Sequence, residues 1–423
     1  MVSMLFLRAY RYRFYPTSAQ AEQLARTFGC ARVVYNWGLE ERTRAFYARQ
    51  ERLYYNDLAK ALTHLKQTPE RAWLAEVSNV VLQQALRHLD KAFANFFARR
   101  AKYPTFKSRR DTQSASYMSN GFTFKNGQLK LAKQDEPLDI RWSRPLPEGA
   151  VPSSVTVTRT AADKFYVSFL VEETFERLPE TTRHIGLDMN TGAVVDSAGR
   201  VHRVPGRLKE MEARKRRYQR AARRKIEAAK RRMGLDPKAP LPKGVRLNIS
   251  SNLRKANRKV GRKQEQIAAI RRDWQHRLTT SIVRENQVIA IEDLNVRGMT
   301  ASSRGTADAP GRRVRQKAGL NAAVLNVGFG ELRRQLEYKA QWTGREVVVV
   351  DRFYPSSKRC SACGHILPRL SLGTRAWVCQ ACGAQHDRDI NAAKNILAAG
   401  LGVRANAHAL RVHDKSESRD SGG

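Results

Sequence analysis

Four cysteines stand near the end of the chain as two CxxC pairs, Cys360 with Cys363 and Cys379 with Cys382, separated by fifteen residues. Paired thiolates at that spacing suit a tetrahedral zinc shell, which is structural because it leaves no coordination position for a water. The run DRDINAAKNIL begins at residue 387 and places Asp389 at the head of a helix-forming segment. Two further acids close apolar strand-like runs, Asp188 in HIGLDMN and Glu292 in VIAIEDLN. Three carboxylates at the ends of elements could converge, and hard oxygen ligands of this kind suit Mg²⁺ or Mn²⁺ rather than zinc. A pair of such ions about 4 Å apart hydrolyses a phosphodiester by activating a water and stabilising the leaving oxygen. Any one of these acids alone is more simply a solvated strand end or a helix cap, so the case rests on the set. Asp196, Asp293 and Asp387 are competitors. Along VIAIED, Glu292 shares a face with Val288 and Ala290 while Asp293 points the other way, so only one of the two can face a site. Position alone does not separate Asp387 from Asp389.

A net charge of +39 over 423 residues, from 78 Lys and Arg against 39 Asp and Glu, calls for a polyanionic partner. The 41% hydrophobic content is enough to bury a core, which argues against a disordered basic protein. No run of about 18 apolar residues occurs, and the N-terminal MVSMLFLRAYRYRFYP alternates aromatics with arginine instead of forming a signal peptide, so a cytoplasmic protein is expected. Cys30 lies on an apolar helical face and reads as a core residue. Thirteen Lys or Arg and three acids fall between residues 207 and 232, among them Arg214, Lys215, Arg216, Arg217, Arg220, Arg223, Arg224 and Lys225. Such a run is often only a solvated face, but at this ratio it repels itself without an anionic partner. Neutralising about eight phosphates would make affinity fall 10³-fold or more between 50 and 200 mM salt.

The elements that must position these groups follow from periodicity. Residues 8–15 alternate as a strand, after which Pro16, Thr17 and Ser18, with Gln20 behind them, mark a helix start. Helical patterning runs to about residue 101, with Leu82, Leu86, Leu89, Phe93 and Phe97 as an apolar stripe. From residue 116 the period returns to two, with a hairpin turn at Asn126 and Gly127 and a second hairpin in VTVTRTAADKFYVSFLVEE, so a β-barrel interrupted by a helical lobe is expected. Beyond residue 184, strands alternate with basic helices, then a helix from about 320 to 342 and the strand EVVVVD, an α/β arrangement. A polar stretch over residues 301–319 is placed to act as a lid, and the last 20 residues read as disordered.

Taken in order, FYPTSAQ, GCARVVYNW, KYPTFKSRR, IGLDMN, IAIEDLN, LEYKAQWTGREVVVVDRFYPSSKRCSACG and HDRDINAAKNIL resemble the TnpB family, transposon-encoded RNA-guided endonucleases related to type V CRISPR effectors. The resemblance implies a multidomain chain: a first strand of a wedge-like β-barrel (1–15), a helical recognition lobe (16–115), the rest of the barrel (116–182), a RuvC nuclease of the RNase H fold (183–356), an inserted zinc ribbon (357–386), the nuclease C-terminal helix (387–402) and a tail (403–423). It implies that Asp188, Glu292 and Asp389 are catalytic and hold Mg²⁺ or Mn²⁺, that Asp389 rather than Asp387 is the third acid, and that Cys360, Cys363, Cys379 and Cys382 hold Zn²⁺. It further implies a guide RNA from the transposon end held by the basic helices, and a duplex DNA target with a short adjacent motif. Tyr55, Asn79 and Gln83 are candidates to reach that motif, Arg369, Arg375 and Trp377 are candidate strand contacts on the ribbon, and a monomer is expected in the RNA complex. One departure is visible: many relatives carry glycine two residues after the first aspartate, where this chain has Asn190, with Gly192 beyond. A nuclease-dead guided repressor, a strand-joining transposase and a zinc-ribbon binding protein without chemistry are the alternatives.

Overall fold

The structure is a computed structural model that describes residues 3–420 except 110, 243, 307, 308 and 372, with side chains described from 5 to 406. The chain divides into two compact units.

One unit holds residues 5–174 with 224–262. Strand β1 (Ser3–Phe14) leads into helix α1 (Ser18–Arg49), and Thr17 and Gln20 close the expected capping box, each side chain bonding the other's backbone amide at 3.3 and 3.1 Å. Helix α2 (Tyr55–Leu65), a 3₁₀ turn (Pro69–Glu76) and helix α3 (Asn79–Phe97) follow. Leu82, Leu86, Leu89 and Phe93 bury against α1 as the stripe predicts, together with Cys30. Phe97 does not: the helix ends there and leaves its ring 69% exposed. Strands β2 (Gln113–Met118), β3 (Phe122–Lys125), β4 (Gln128–Leu131), β5 (Ile140–Arg141), β6 (Ser154–Arg159) and β7 (Phe165–Glu176) complete the unit. Asn126 and Gly127 both take positive φ, the conformation a two-residue hairpin needs. The hydrogen-bonded order is β2-β6-β7-β1-β5, with β3-β4 as a separate ladder. These strands form a five-stranded sheet, against which the β3-β4 hairpin packs through the rings of Phe124, Trp142 and Phe169.

The other unit holds residues 175–223 and 263–423 with the first four residues. Strands β8 (His184–Asn190), β9 (Ala193–Asp196) and β10 (Val201–Arg203) form a meander, then helices α4 (Arg207–Arg232) and α5 (Ser251–Glu285) lead to β11 (Val288–Glu292). The basic residues of α4 are mostly exposed, but Lys215 donates to Gln264 of α5 at 3.0 Å and Lys230 is buried, its Nζ donating to the Ala239 carbonyl. A short helix α6 (Val296–Met299) precedes α7 (Val314–Val327), α8 (Phe329–Thr343) and β12 (Glu346–Val350). The single helix expected over 320–342 is therefore two: it starts at Val314, inside the stretch read as a lid, and breaks at Gly328, whose φ of 71° no continuous helix accepts. Residues 307 and 308 of that stretch lie outside the described residues. The sheet order is β10-β9-β8-β11-β12, with β8, β11 and β12 parallel. Strands β13 (Ala376–Val378) and β14 (Gln385–Asp387) form the cysteine-bearing hairpin, and α9 (Arg388–Asp420) follows β14 without an intervening residue. The last helix continues to Asp420, where composition suggests a disordered tail from residue 403; residues 421–423 lie outside the described residues.

Two layers cover this second sheet. Ile185, Leu187, Ile289 and Ile291 face α5, α7 and α8, whereas Ala290 and Val350 face Ile396 of α9. Helix α9 lies unusually close to the strands. A Cβ on Gly186 would stand 2.2 Å from the Ala393 carbonyl oxygen, and one on Gly400 would stand 2.5 Å from the Ala290 Cβ. Glycine at both points lets the helix cross from β8 to β11 in backbone contact.

Candidate active site

Strand parity decides which acids share the α9 side. Gly186 and Asp188 lie on one face of β8, and Ala290 and Glu292 lie on the same face of β11, because Ile291 pairs with Leu187 in the parallel ladder. Asp188 and Glu292 thus stand side by side where the two strands end, beneath the helix whose first turn carries Asp389. Asp188 is buried, and Asn190 Nδ2 donates to its Oδ2 at 2.6 Å. Burial first, and then the negative charges of Glu292 and Asp389, push the Asp188 carboxyl up to about 7, against the pull of Asn190 and Arg388. Glu292 Oε1 accepts from Ser356 Oγ at 2.5 Å, and Arg375 lies 3.5 Å from the Asp389 carboxylate.

The competitors have other work. Asp293 faces the opposite layer, paired with Arg333 at 2.9 Å and with Arg352, which hold its carboxyl below the usual range. Asp196 Oδ1 accepts from the amides of Ala198 and Arg200, closing the β9-β10 turn. Asp387 Oδ1 accepts from the amides of Asp389 and Ile390, both at 3.0 Å, and so caps α9. The cap occupies Asp387 and leaves Asp389, two residues further on in the first turn, near Asp188.

The cysteines form a second centre. Cys360 Sγ lies 3.7 Å from Cys382 Sγ, and Cys363 Sγ lies 3.6 Å from Cys379 Sγ. An ion bound tetrahedrally at about 2.3 Å from each sulfur places the sulfurs about 3.8 Å apart, so the residues present fit zinc. Burial opposes it, but the amides of Cys363 and Ala362, with His386 Nε2 at 3.0 Å, draw the Cys360 thiol down to about 5. Among the described residues the four sulfurs are the metal-ligand group whose atoms all lie within 4.8 Å of one another, and the three acids are spread more widely. Trp377 is buried between the cysteines and His386 and is a core residue of the hairpin, not a strand contact; Arg369 is exposed.

Several residues that sequence reasoning passed over tie the two centres together. Asn391 and Asn395, one turn apart and both buried, donate to the carbonyls of Ser356 and Arg359, and Asn391 Oδ1 accepts from the Ser361 amide at 2.9 Å. The i, i+4 asparagine pair in DINAAKN was the available signal. On the helical lobe, Tyr55 lies under the Arg87 guanidinium at 4.4 Å, Asn79 Oδ1 accepts from Lys66 Nζ at 2.9 Å, and Gln83 is half-buried on α3.

Family profiles match three stretches: a "Cas12f1-like, TNB domain" over residues 329–396, a "Probable transposase" over 166–303 and a "Helix-turn-helix domain" over 4–51. The last of these forms a strand and one long helix in this chain. A protein of Streptomyces pristinaespiralis named "Putative RNA-guided DNA endonuclease" is 47% identical over 97% of this chain and 93% of its own length. InsQ of Escherichia coli (strain K12), which carries the same description, is 32% identical over 94% of each chain. A Cas12f1-sgRNA-target DNA complex contains a chain that superposes with a TM-score of 0.52 at 13% identity, over 93% of this chain and 98% of that one. Identity sustained over nearly the whole chain settles the class, which is that of a nuclease. The chain belongs to the TnpB family.

Proposed function

We propose that this protein is the RNA-guided DNA endonuclease of a bacterial insertion sequence, which recognises a short motif beside its target and cuts duplex DNA in one RuvC-type site. The carrying observation is the side-by-side placement of Asp188 and Glu292 under the first turn of α9, with the Asp188 carboxyl driven up by burial and two neighbouring acids. A meander of three strands followed by two parallel ones, with a helix packed across the first acid, is the layout expected of an RNase H fold. The five-stranded sheet and the β3-β4 hairpin are read as the wedge-like barrel, and α1 to α3 as the recognition lobe carrying Tyr55, Asn79 and Gln83.

Three acids with so little compensation fit hard divalent cations, Mg²⁺ or Mn²⁺. Bound there, such ions would supply an activated water and a stabilised leaving oxygen. The chain's own residues set the positions. Asp188 is fixed by Asn190, Glu292 is oriented by Ser356, and Asp389 is fixed by the helix that Asp387 caps. Zinc in the four-thiolate cage holds the hairpin that ends in Asp387. The exposed cations of α4 are assigned to the guide RNA and its heteroduplex with the target strand.

The test is a plasmid-cleavage assay on protein purified with its co-expressed RNA. Cutting that requires Mg²⁺, stops after RNase treatment and is absent from Asp188→Ala supports the assignment. Cutting that survives RNase removes the guide. Cutting by Asp188→Ala at the parent rate removes the site, and RNA-dependent binding of the target without cutting by either protein indicates a repressor.

A further inference from the structure

The segment RRAKYPTFKSR over residues 99–109 interleaves five cations and two aromatics without an acid. Its fold is unusual for rings of this size. Pro104 is buried and anchors the loop, while the rings on either side face out, Tyr103 41% and Phe106 61% exposed. Tyr103 OH shares a hydrogen bond of 2.8 Å with Thr43 Oγ1, and Asn36 exchanges hydrogen bonds with the backbone of Lys107 at 2.8 and 2.9 Å. The loop therefore runs back along one face of α1, the face of Asn36, Thr43 and Tyr47, spaced seven and four residues apart.

Tyr47 extends that face beyond Thr43 and is 73% exposed, and Phe97 stands at the near end of the loop, stacked on Phe93 at 6.2 Å. The rings of Phe96 and Phe97, 5.2 Å apart, join Tyr103 to this end. From Asn36 to Tyr47 the helix rises about 16 Å, room for three or four stacked bases. Arg99, Arg100 and Lys102 border the rings, and no ion pair among the described residues engages them. Contiguous exposed aromatics of this kind mark an interaction surface.

We propose that Tyr47, Phe97, Tyr103 and Phe106, with the bordering Arg99, Arg100 and Lys102, form a stacking platform for three or four unpaired nucleotides of single-stranded DNA. The cations answer to phosphates and the rings to bases, the combination by which single strands are held without sequence preference. A DNA strand rather than an RNA strand is proposed because relatives aligned over nearly the whole chain are named for action on DNA. The proposal does not depend on the nuclease reading. A catalytically inactive chain would show the same binding.

The experiment measures a fluorescein-labelled oligo(dT) of twelve nucleotides on the full chain carrying Asp188→Ala, at 300 mM salt to suppress the diffuse charge term. Tyr47→Ala, Phe97→Ala and Phe106→Ala combined should weaken binding at least tenfold, and Phe97→Trp with Phe106→Trp should retain it. All these positions are exposed, and thermal melting of each variant checks that the fold is intact. Three results overturn the proposal. They are unchanged binding by the triple variant, equal or tighter binding of the matching oligoribonucleotide that is lost in that variant, and sedimentation of the parent as a dimer that the variant converts to monomer, which would make the surface a protein interface.

Discussion

At the residue scale, the proposed chemistry turns on Asp188. Its carboxyl is raised from the ordinary value of 3.8 to about 7, so the folded, metal-free chain holds a proton that the unfolded chain gives up. Stability from this group is therefore full at low pH and is lost as pH rises between about 4 and 7, of order 4 kcal/mol at most. Asp188→Asn should remove that dependence. In thermal melts of metal-free protein at pH 8 the variant is expected to be the more stable of the two, and it should lose both the stabilisation by Mg²⁺ and at least 10³-fold in cleavage rate. A parent no more stable at pH 5 than at pH 8, relative to the variant, would contradict this. Ser356→Ala tests a subtler point. Removing the hydroxyl that donates to Glu292 should slow cleavage roughly tenfold while lowering stability by no more than about 3 kcal/mol, in keeping with the loss of one hydrogen bond to a charged group.

At the element scale, the approach of α9 to the sheet is the feature most exposed to test. Gly186→Ala would drive a methyl into the Ala393 carbonyl, and neither strand nor helix backbone yields easily. We expect a loss of about 3 kcal/mol or more, read as a lower denaturant midpoint, with cleavage lost because Asp389 is carried away from Asp188. The same contact shows what sequence alone could and could not reveal. Alternation along VIAIED separated Glu292 from Asp293 because parity is a property of any strand, and the Asn126-Gly127 turn was legible because only such residues take positive φ at both positions. The role of Asp387 as a cap was not legible, since an acid at a helix start looks the same whether it bonds amides or faces a pocket. Gly328 was missed as a break because glycine inside a helical pattern is often tolerated. Phe97 was placed in the buried stripe because periodicity does not report where a helix runs out of partners.

At the scale of the whole molecule, charge and metal set the behaviour. Each compact unit carries its own apolar core, so the +39 net charge need not be neutralised for folding and is available to nucleic acid. Binding should weaken 10³-fold or more between 50 and 200 mM salt, measurable by titration of a duplex oligonucleotide, and a flat salt response would contradict a phosphate-led interface. A strong thiol-competing chelator should release one zinc per chain, and cleavage should not return on adding Mg²⁺ alone. The reason lies in a junction already described: Asp387 is at once the last residue of β14 and the cap of α9, with no spare residue between hairpin and helix. Such a splice has no slack. Any tilt of the cysteine hairpin would be inherited by the carboxylate two positions on, so a metal held by the four thiolates would serve the proposed hydrolytic centre as its alignment stop.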